Sequence, residues 1–311
     1  MELRRLGDSG LKVSEVGLGC NNFGMRIDQE ATNTVVASAI DAGINFFDTA
    51  DIYGGTLSEV MLGKALGARR KEIVLATKFG GPVGKAPHER GGSRRHVIEA
   101  AEASLKRLGT DYIDLYQLHF PDPETPIEET LRALDDLVRA GKVRYIGGSN
   151  FSGYQIADAD WIARTGHMTR FVSAQNQYSL LERGIEHEIL PACEKFGLGV
   201  LPFFPLASGL LTGKYKRNEA PPEGTRLAAW GERGAQSLND KNFDIIDKLT
   251  TWSRERGHTL LELAFAWLLG HRSVSSVIAG ATKPEQVNAN AATALWKLTP
   301  AEVAEVSKLA K

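Results

Sequence analysis

NFFDTADIYGG, residues 45–55, begins as an apolar run of the kind that fills a barrel interior, then places Asp48, Asp51 and Tyr53 within six residues. A strand running out into a polar loop accounts for this pattern. So does a strand whose exit carries a pair of catalytic groups. The rest of the chain decides between them.

Similar runs recur eight times: EVGLGC (15–20), INFFDT (44–49), IVLATKF (73–79), YIDLYQLH (112–119), VRYIGGSN (143–150), FVSAQNQY (171–178), LGVLPFFPL (198–206) and SVIAGA (276–281). Between most of them lie segments whose apolar positions have helical spacing, such as 31–43, 96–109 and 127–141, several stopped by a glycine. Strands alternating with helices imply parallel βαβ units, whose buried strands read as near-continuous apolar runs. The expected fold is an α/β closed (β/α)8 TIM barrel.

Residues 3–14, LRRLGDSGLKVS, hold a turn signal at Asp8-Ser9-Gly10 between two short segments that can pair, an N-terminal β-hairpin plug over one barrel end. Two segments depart from the repeat. Residues 207–257, rich in glycine and charge, form a long loop after strand 7 and read as a lid or binding loop; the tail after 295 is the other. No linker or low-complexity tract divides the chain, so 1–311 reads as a single domain.

With 311 residues, 42% hydrophobic and 24% charged, the chain is long enough for one barrel of about 250 residues plus insertions. A formal net charge of −1 gives no long-range field for nucleic acid or anionic membrane, so the expected partner is a small molecule. Two cysteines, Cys20 and Cys193, are too few for a disulfide framework and fit a reducing compartment. No run of about 18 apolar residues is present and the N-terminus lacks a signal-peptide core, so a cytoplasmic protein is expected.

Barrel enzymes carry their active sites at the C-terminal strand ends. There the sequence places Asp48 and Tyr53, Lys78, His119, Ser149 with Asn150, and Gln175. Taken singly, an Asp or Lys at a strand end is usually a solvated loop residue, and a lone histidine or tyrosine a packing one. LATKF and LYQLHF, however, put an ionisable group inside an apolar stretch, where burial without a partner is costly. Such groups should meet. Together they make a tunable proton donor: a nearby ammonium, Lys78, favours the phenolate of Tyr53, Asp48 holds Lys78, and His119 hydrogen-bonds a carbonyl oxygen or relays a proton. That chemistry suits reduction of C=O and requires a cofactor to bring the hydride.

At this point the chain resembles an aldo-keto reductase over nearly its whole length, through GLGCNNFG (17–24), GINFFDTADIYG (43–54), ATKFG (76–80), SLKRLGTDYIDLYQLH (104–119), GKVRYIGGSNFS (141–152), QNQYSLLER (175–183), PLASGLLTGKY (205–215) and AGATKPEQVNAN (280–290). The wording is most similar to the longer branch that includes many bacterial reductases and the potassium-channel beta subunits. The resemblance implies that Tyr53 is the general acid/base, tuned by Lys78 and Asp48, and that His119 orients the carbonyl. It implies that Ser149, Asn150 and Gln175 bind the nicotinamide carboxamide and that Phe203 stacks on the ring, with Gly19, Cys20, Asn21 and Pro205 also beside the cofactor. Phe204 stands where serine is common, so a hydrogen bond to the cofactor there is lost or reassigned. Leu206, Ser208, Gly209 and Lys214 match the segment that wraps the pyrophosphate.

Gly280, Thr282, Lys283, Gln286 and Asn290 occupy positions the family uses for the adenosine 2′-phosphate and adenine. NADPH is favoured, with NADH possible, since Gln286 and Ala289 replace the arginine and glutamate of other members. Cys20 and Asn21 replace a Thr-Trp pair, which bears on substrate contacts. Asn21, Phe23, Phe120 and Trp230, beside Tyr53 and His119, are the expected pocket lining. Cys20 reads as a packing group or a backbone contact to cofactor, not a nucleophile. No metal site is expected, and no protein partner is indicated.

The leading expectation is an NADPH-dependent reductase of aldehydes or ketones. The alternative is a nucleotide-sensing regulatory subunit like the channel beta subunits, which can keep the same four residues. The short stretch before Asp8 leaves little room for a regulatory arm and weighs toward the enzyme. A barrel enzyme of unrelated chemistry is permitted by fold alone.

Overall fold

A computed structural model describes residues 1–311. Strands β1 (Leu3–Arg5) and β2 (Lys12–Ser14) form an antiparallel hairpin. Eight more make one parallel sheet: β3 (Val16–Gly19), β4 (Phe46–Asp48), β5 (Val74–Phe79), β6 (Ile113–Leu118), β7 (Val143–Ser149), β8 (Phe171–Gln175), β9 (Gly199–Val200) and β10 (Val277–Gly280). Neighbours run β10-β3-β4-β5-β6-β7-β8-β9. The ends meet where Val200 N donates to Ser273 O at 2.7 Å, Ser275 N to Val200 O at 2.9 Å and Ile278 N to Pro202 O at 3.2 Å. The expected TIM barrel is the one formed.

Strand alternation sorts each strand's residues between two cores. Along β5, Val74 and Ala76 join Phe46, Leu115, Leu201 and Ile278 inside the barrel, while Leu75 and Phe79 pack outward against the helices. Lys78 follows Val74 and Ala76 in the same phase, so it too projects into the barrel, above their apolar layer. A chain that alternates correctly thus delivers an ammonium to the interior.

The hairpin closes the other end of the barrel, as expected. Leu6 and Val13, both fully buried, complete the small interior cluster. Gly7 lets the turn lie flat on the barrel floor: its φ is +57°, and a Cβ there would sit 2.4 Å from Gly197 O and 2.6 Å from Gly199 N.

The segment 207–257 departs from the sequence expectation in part. Only its first portion crosses the barrel mouth as irregular chain and short turns; Asp240–Arg254 is a regular helix burying Phe243, Ile245, Ile246, Leu249 and Trp252. Arg217 ties the two parts together, donating to Asp240 at 2.8 Å, Asp244 at 2.7 Å and Asp247 at 3.1 Å. The tail after 295 is also helical, Pro300–Leu309, started by a reciprocal capping box between Thr299 and Glu302. Ser307 Oγ accepts from Trp267 Nε1 at 2.9 Å, which docks this helix on the barrel's outer ring.

Leu6 gives a direct check on the plug. Leu6→Ala leaves a cavity against the barrel floor and should cost about 3 kcal/mol of stability, read as a lower denaturant midpoint; an unchanged midpoint would mean the hairpin does not seal the core.

Candidate active site

The floor of the barrel mouth is organised by one buried ion pair. Lys78 Nζ, on a residue with no exposed surface, donates to Asp48 Oδ2 at 2.5 Å and to Thr49 O at 2.9 Å. Asp48 Oδ1 accepts from Gln175 Nε2 at 2.9 Å and from Gln117 Nε2 at 3.4 Å. Both carboxylate oxygens are therefore satisfied, which makes so deep a charge pair tolerable. Burial opposes the Lys78 charge, but Asp48, aided by Tyr53, outweighs it and holds the ammonium above its usual range.

The third donor direction of Lys78 reaches Tyr53 OH at 3.5 Å. Tyr53 enters from the turn after β4, where Tyr53 N donates to Ala50 O at 3.2 Å. The effect on the phenol differs from the sequence expectation. Lys78 does favour the phenolate, yet burial is the larger influence and the phenol lies above its ordinary range. At neutral pH the proton therefore stays on Tyr53.

His119 stands edge-on to Tyr53 with ring centroids 5.8 Å apart, and Phe120 stacks flat on its other side at 4.4 Å. Its Nδ1 is buried without a hydrogen-bond partner. Burial, and then Lys78, push its pKa down to about 3, so the ring is neutral throughout the neutral range. Asn150, in left-handed backbone at φ 63°, fixes the strand end below by donating from Nδ2 to His119 O at 3.0 Å and Ser149 Oγ at 3.1 Å. Ser149 Oγ in turn donates to Gln175 O at 3.0 Å. Asp48, Tyr53, His119, Ser149, Asn150 and Gln175 face one cleft of about 750 Å³, and Lys78 lies directly beneath it.

The cleft runs outward between two loops. On one wall lie Phe203, Phe204, Pro205, Leu206, Ser208, Gly209 and Lys214; on the other lie Gly19, Cys20, Asn21, Gly280, Thr282, Lys283, Gln286 and Asn290. Phe204, Ala207 and Ser208 all adopt positive φ (51°, 46° and 60°), a strained bend of the sort that clusters at ligand sites. Gln286 Oε1 accepts from Thr282 N at 2.7 Å, holding the turn that leads into helix Pro284–Ala292, where Lys283 is the N-cap. Cys20 is fully buried, and burial, then Asp48, raise its thiol well above the usual range, in keeping with a packing group.

Of the expected substrate contacts, Asn21, Tyr53, His119 and Phe120 line the cleft. Phe23 does not: it is fully buried in the main core, because the loop after β3 folds inward there. Trp230 stands outside the cleft wall, edge-on to Phe204 at 5.9 Å. Two arginines escaped the sequence reading. Arg226 and Arg26 both line the cleft; Arg26 donates from Nη2 to Gly224 O, and Arg226 from Nη2 to Asn22 Oδ1 at 3.5 Å, so together they strap the long loop to the loop after β3. Burial, then the neighbouring Arg26, lower the Arg226 pKa. Nothing in their spacing marks them, since they meet only across the cleft. Neither they nor Lys214 and Lys283 pair with a carboxylate.

The comparisons agree with this geometry. The profile described as "Aldo/keto reductase family" matches residues 15–311. A "Probable voltage-gated potassium channel subunit beta" of Oryza sativa subsp. japonica is 37% identical over 98% of this chain and 95% of its own. An "Uncharacterized oxidoreductase YrpG" of Bacillus subtilis is 40% identical over 92% of this chain and 89% of its own. "Versiconal hemiacetal acetate reductase" of Aspergillus parasiticus is 35% identical over 97% of this chain and 95% of its own. With a barrel of this topology, a buried lysine–aspartate pair beneath a tyrosine, and these matches end to end, the chain belongs to the aldo/keto reductase family, an oxidoreductase family that uses NAD(P)H.

Proposed function

We propose that this protein reduces the carbonyl group of aldehydes or ketones to an alcohol with NADPH, and that Tyr53 supplies the proton. The observation that carries the reading is the convergence of Tyr53, Lys78, Asp48 and His119 beneath a cleft whose cations lack protein counter-ions. The donor set fits a dinucleotide. Lys214 and Arg226 suit a pyrophosphate, and Lys283, at a helix N-terminus, suits the 2′-phosphate of NADPH. Ser149, Asn150 and Gln175 offer the polar atoms a carboxamide needs, and Phe203 a face for the ring. The bound nicotinamide supplies the hydride.

The chain's own residues handle the proton. A neutral Tyr53 can donate its hydroxyl hydrogen to the substrate oxygen, and the phenolate left behind is met by the Lys78 ammonium, already held by Asp48. The influence of Lys78 is therefore felt most after the transfer, on the product side. His119, neutral because its protonation is pushed down to about 3, orients the carbonyl through one ring nitrogen and does not compete as an acid. Phe120, stacked on the His119 ring at 4.4 Å, covers one face of that group.

A second reading is favoured by one observation, the name of the rice relative: a nucleotide-sensing subunit whose occupancy is reported to a protein partner. Tight NADPH binding with no turnover across aliphatic, aromatic and dicarbonyl substrates would favour it over the enzyme.

Tyr53→Phe should lower kcat for NADPH oxidation by about 10²- to 10⁴-fold while the cofactor Kd is unchanged; normal turnover refutes Tyr53 as the donor. Lys283→Ala should weaken NADPH by about 10- to 100-fold and leave NADH as it was. Equal losses for the two cofactors contradict a 2′-phosphate contact.

A further inference from the structure

On the outer side of the barrel wall, behind the catalytic lysine, lies a second buried polar cluster. Thr77, next to Lys78 but facing outward, donates from Oγ1 to Glu59 Oε1 at 2.6 Å, and Arg107 Nε donates to Glu59 Oε2 at 2.6 Å. Asp51 and Tyr116 share this space. Asp51 is 1% exposed, and neither of its carboxyl oxygens nor the Tyr116 hydroxyl has a hydrogen-bond partner.

The groups that face Asp51 cannot balance a charge on it. Glu59, from helix Leu57–Leu66, is itself acidic, and Arg107, from helix Arg94–Leu108, is taken by Glu59 and by Ser104 Oγ at 3.1 Å. Lys78, from β5, is engaged with Asp48 and Thr49 across the wall, and Tyr116, from β6, is a buried phenol. An ionised Asp51 would be a dry, unpaired charge. Its backbone is part of the site: Asp51 N donates to Lys78 O at 3.1 Å, pinning to β5 the turn that carries Tyr53.

We propose that Asp51 is a positioning residue held as the neutral carboxylic acid, whose lack of charge lets its side chain stay buried against Glu59 and Tyr116 and so leaves the Ala50–Tyr53 turn seated on β5 with Tyr53 facing Lys78. The proposal rests on the reductase reading for its kinetic consequence and on packing alone for its effect on stability. Burial, then Glu59, hold this carboxyl up to about 8 against an ordinary value of 3.8. Because the folded state binds the proton more tightly, stability is full below about pH 4 and is lost progressively as pH rises toward about 8, levelling above it.

Asp51→Asn keeps the shape and cannot ionise. Unfolding curves of wild type and variant from pH 4 to 9, without substrate or cofactor, should diverge by up to about tenfold in unfolding constant per pH unit below pH 8. The variant should also turn over beyond the alkaline pH at which wild-type kcat falls, up to the titration of Tyr53 itself. Parallel stability curves overturn the neutral acid; divergent curves with coincident kcat limbs overturn the positioning role. Glu59→Gln gives an independent arm, since it removes the acidic neighbour and leaves Arg107 without its carboxylate partner, so the loss of stability should level off at a lower pH than in wild type; levelling at a higher pH overturns the proposal. The stability arms use no carbonyl chemistry, so their failure is separable from failure of the reductase reading.

Discussion

The ammonium of Lys78, buried completely inside a barrel and paired at 2.5 Å with Asp48, is the constraint around which the site is arranged. Removing one partner of such a pair leaves a bare charge and costs about 3–5 kcal/mol. The surrounding residues read as measures against that outcome. Gln175 and Gln117 satisfy the far oxygen of Asp48, Thr49 O takes a second proton of Lys78, and the remaining direction is aimed at Tyr53. The lower barrel, sealed by Phe46, Val74, Leu115 and the hairpin residues Leu6 and Val13, keeps water from reaching the pair from beneath. Stability and chemistry are thereby joined: the same packing that makes the pair hard to break keeps its field directed at one phenol.

The barrel wall separates two polar environments of different character. Inside, one cation and one carboxylate are matched and hydrogen-bonded. Outside, Glu59 and Asp51 share a single arginine, and the mismatch falls on Asp51. Thr77 and Lys78, neighbours in β5, serve opposite sides because strand alternation leaves them no choice. Above the wall, the loops do separate work. Arg26 and Arg226 fasten the long segment over the cleft, and Phe204 gives Arg226 and Trp230 an aromatic surface to rest on.

All eight strands were legible because burial on both faces forces near-continuous apolar runs, and Lys78 and His119 stood out as ionisable groups within such runs. The helix Asp240–Arg254 was also legible in its apolar positions, 243, 245, 246, 249 and 252, but the glycines and charges before it drew it into one long loop. Phe23 was misplaced because an aromatic in a loop looks like pocket lining whether the loop folds in or out. Arg26 and Arg226 lie 200 residues apart and become a pair only in three dimensions. The balance at Tyr53 was unreadable for another reason: sequence names the lysine but carries no measure of burial, which is the larger influence.

The most direct test of this account is an ultraviolet difference titration of the Tyr53 phenol, with Tyr53→Phe as the blank, in Asp48→Asn and in the double variant Asp48→Asn, Lys78→Met. The single variant keeps the ammonium and removes its carboxylate partner; the double variant removes both charges. Tyr53 should ionise at a higher pH in the double variant, because the lysine is what favours its phenolate. Equal titration midpoints in the two would show that Lys78 does not govern the acidity of Tyr53 and would contradict the central claim.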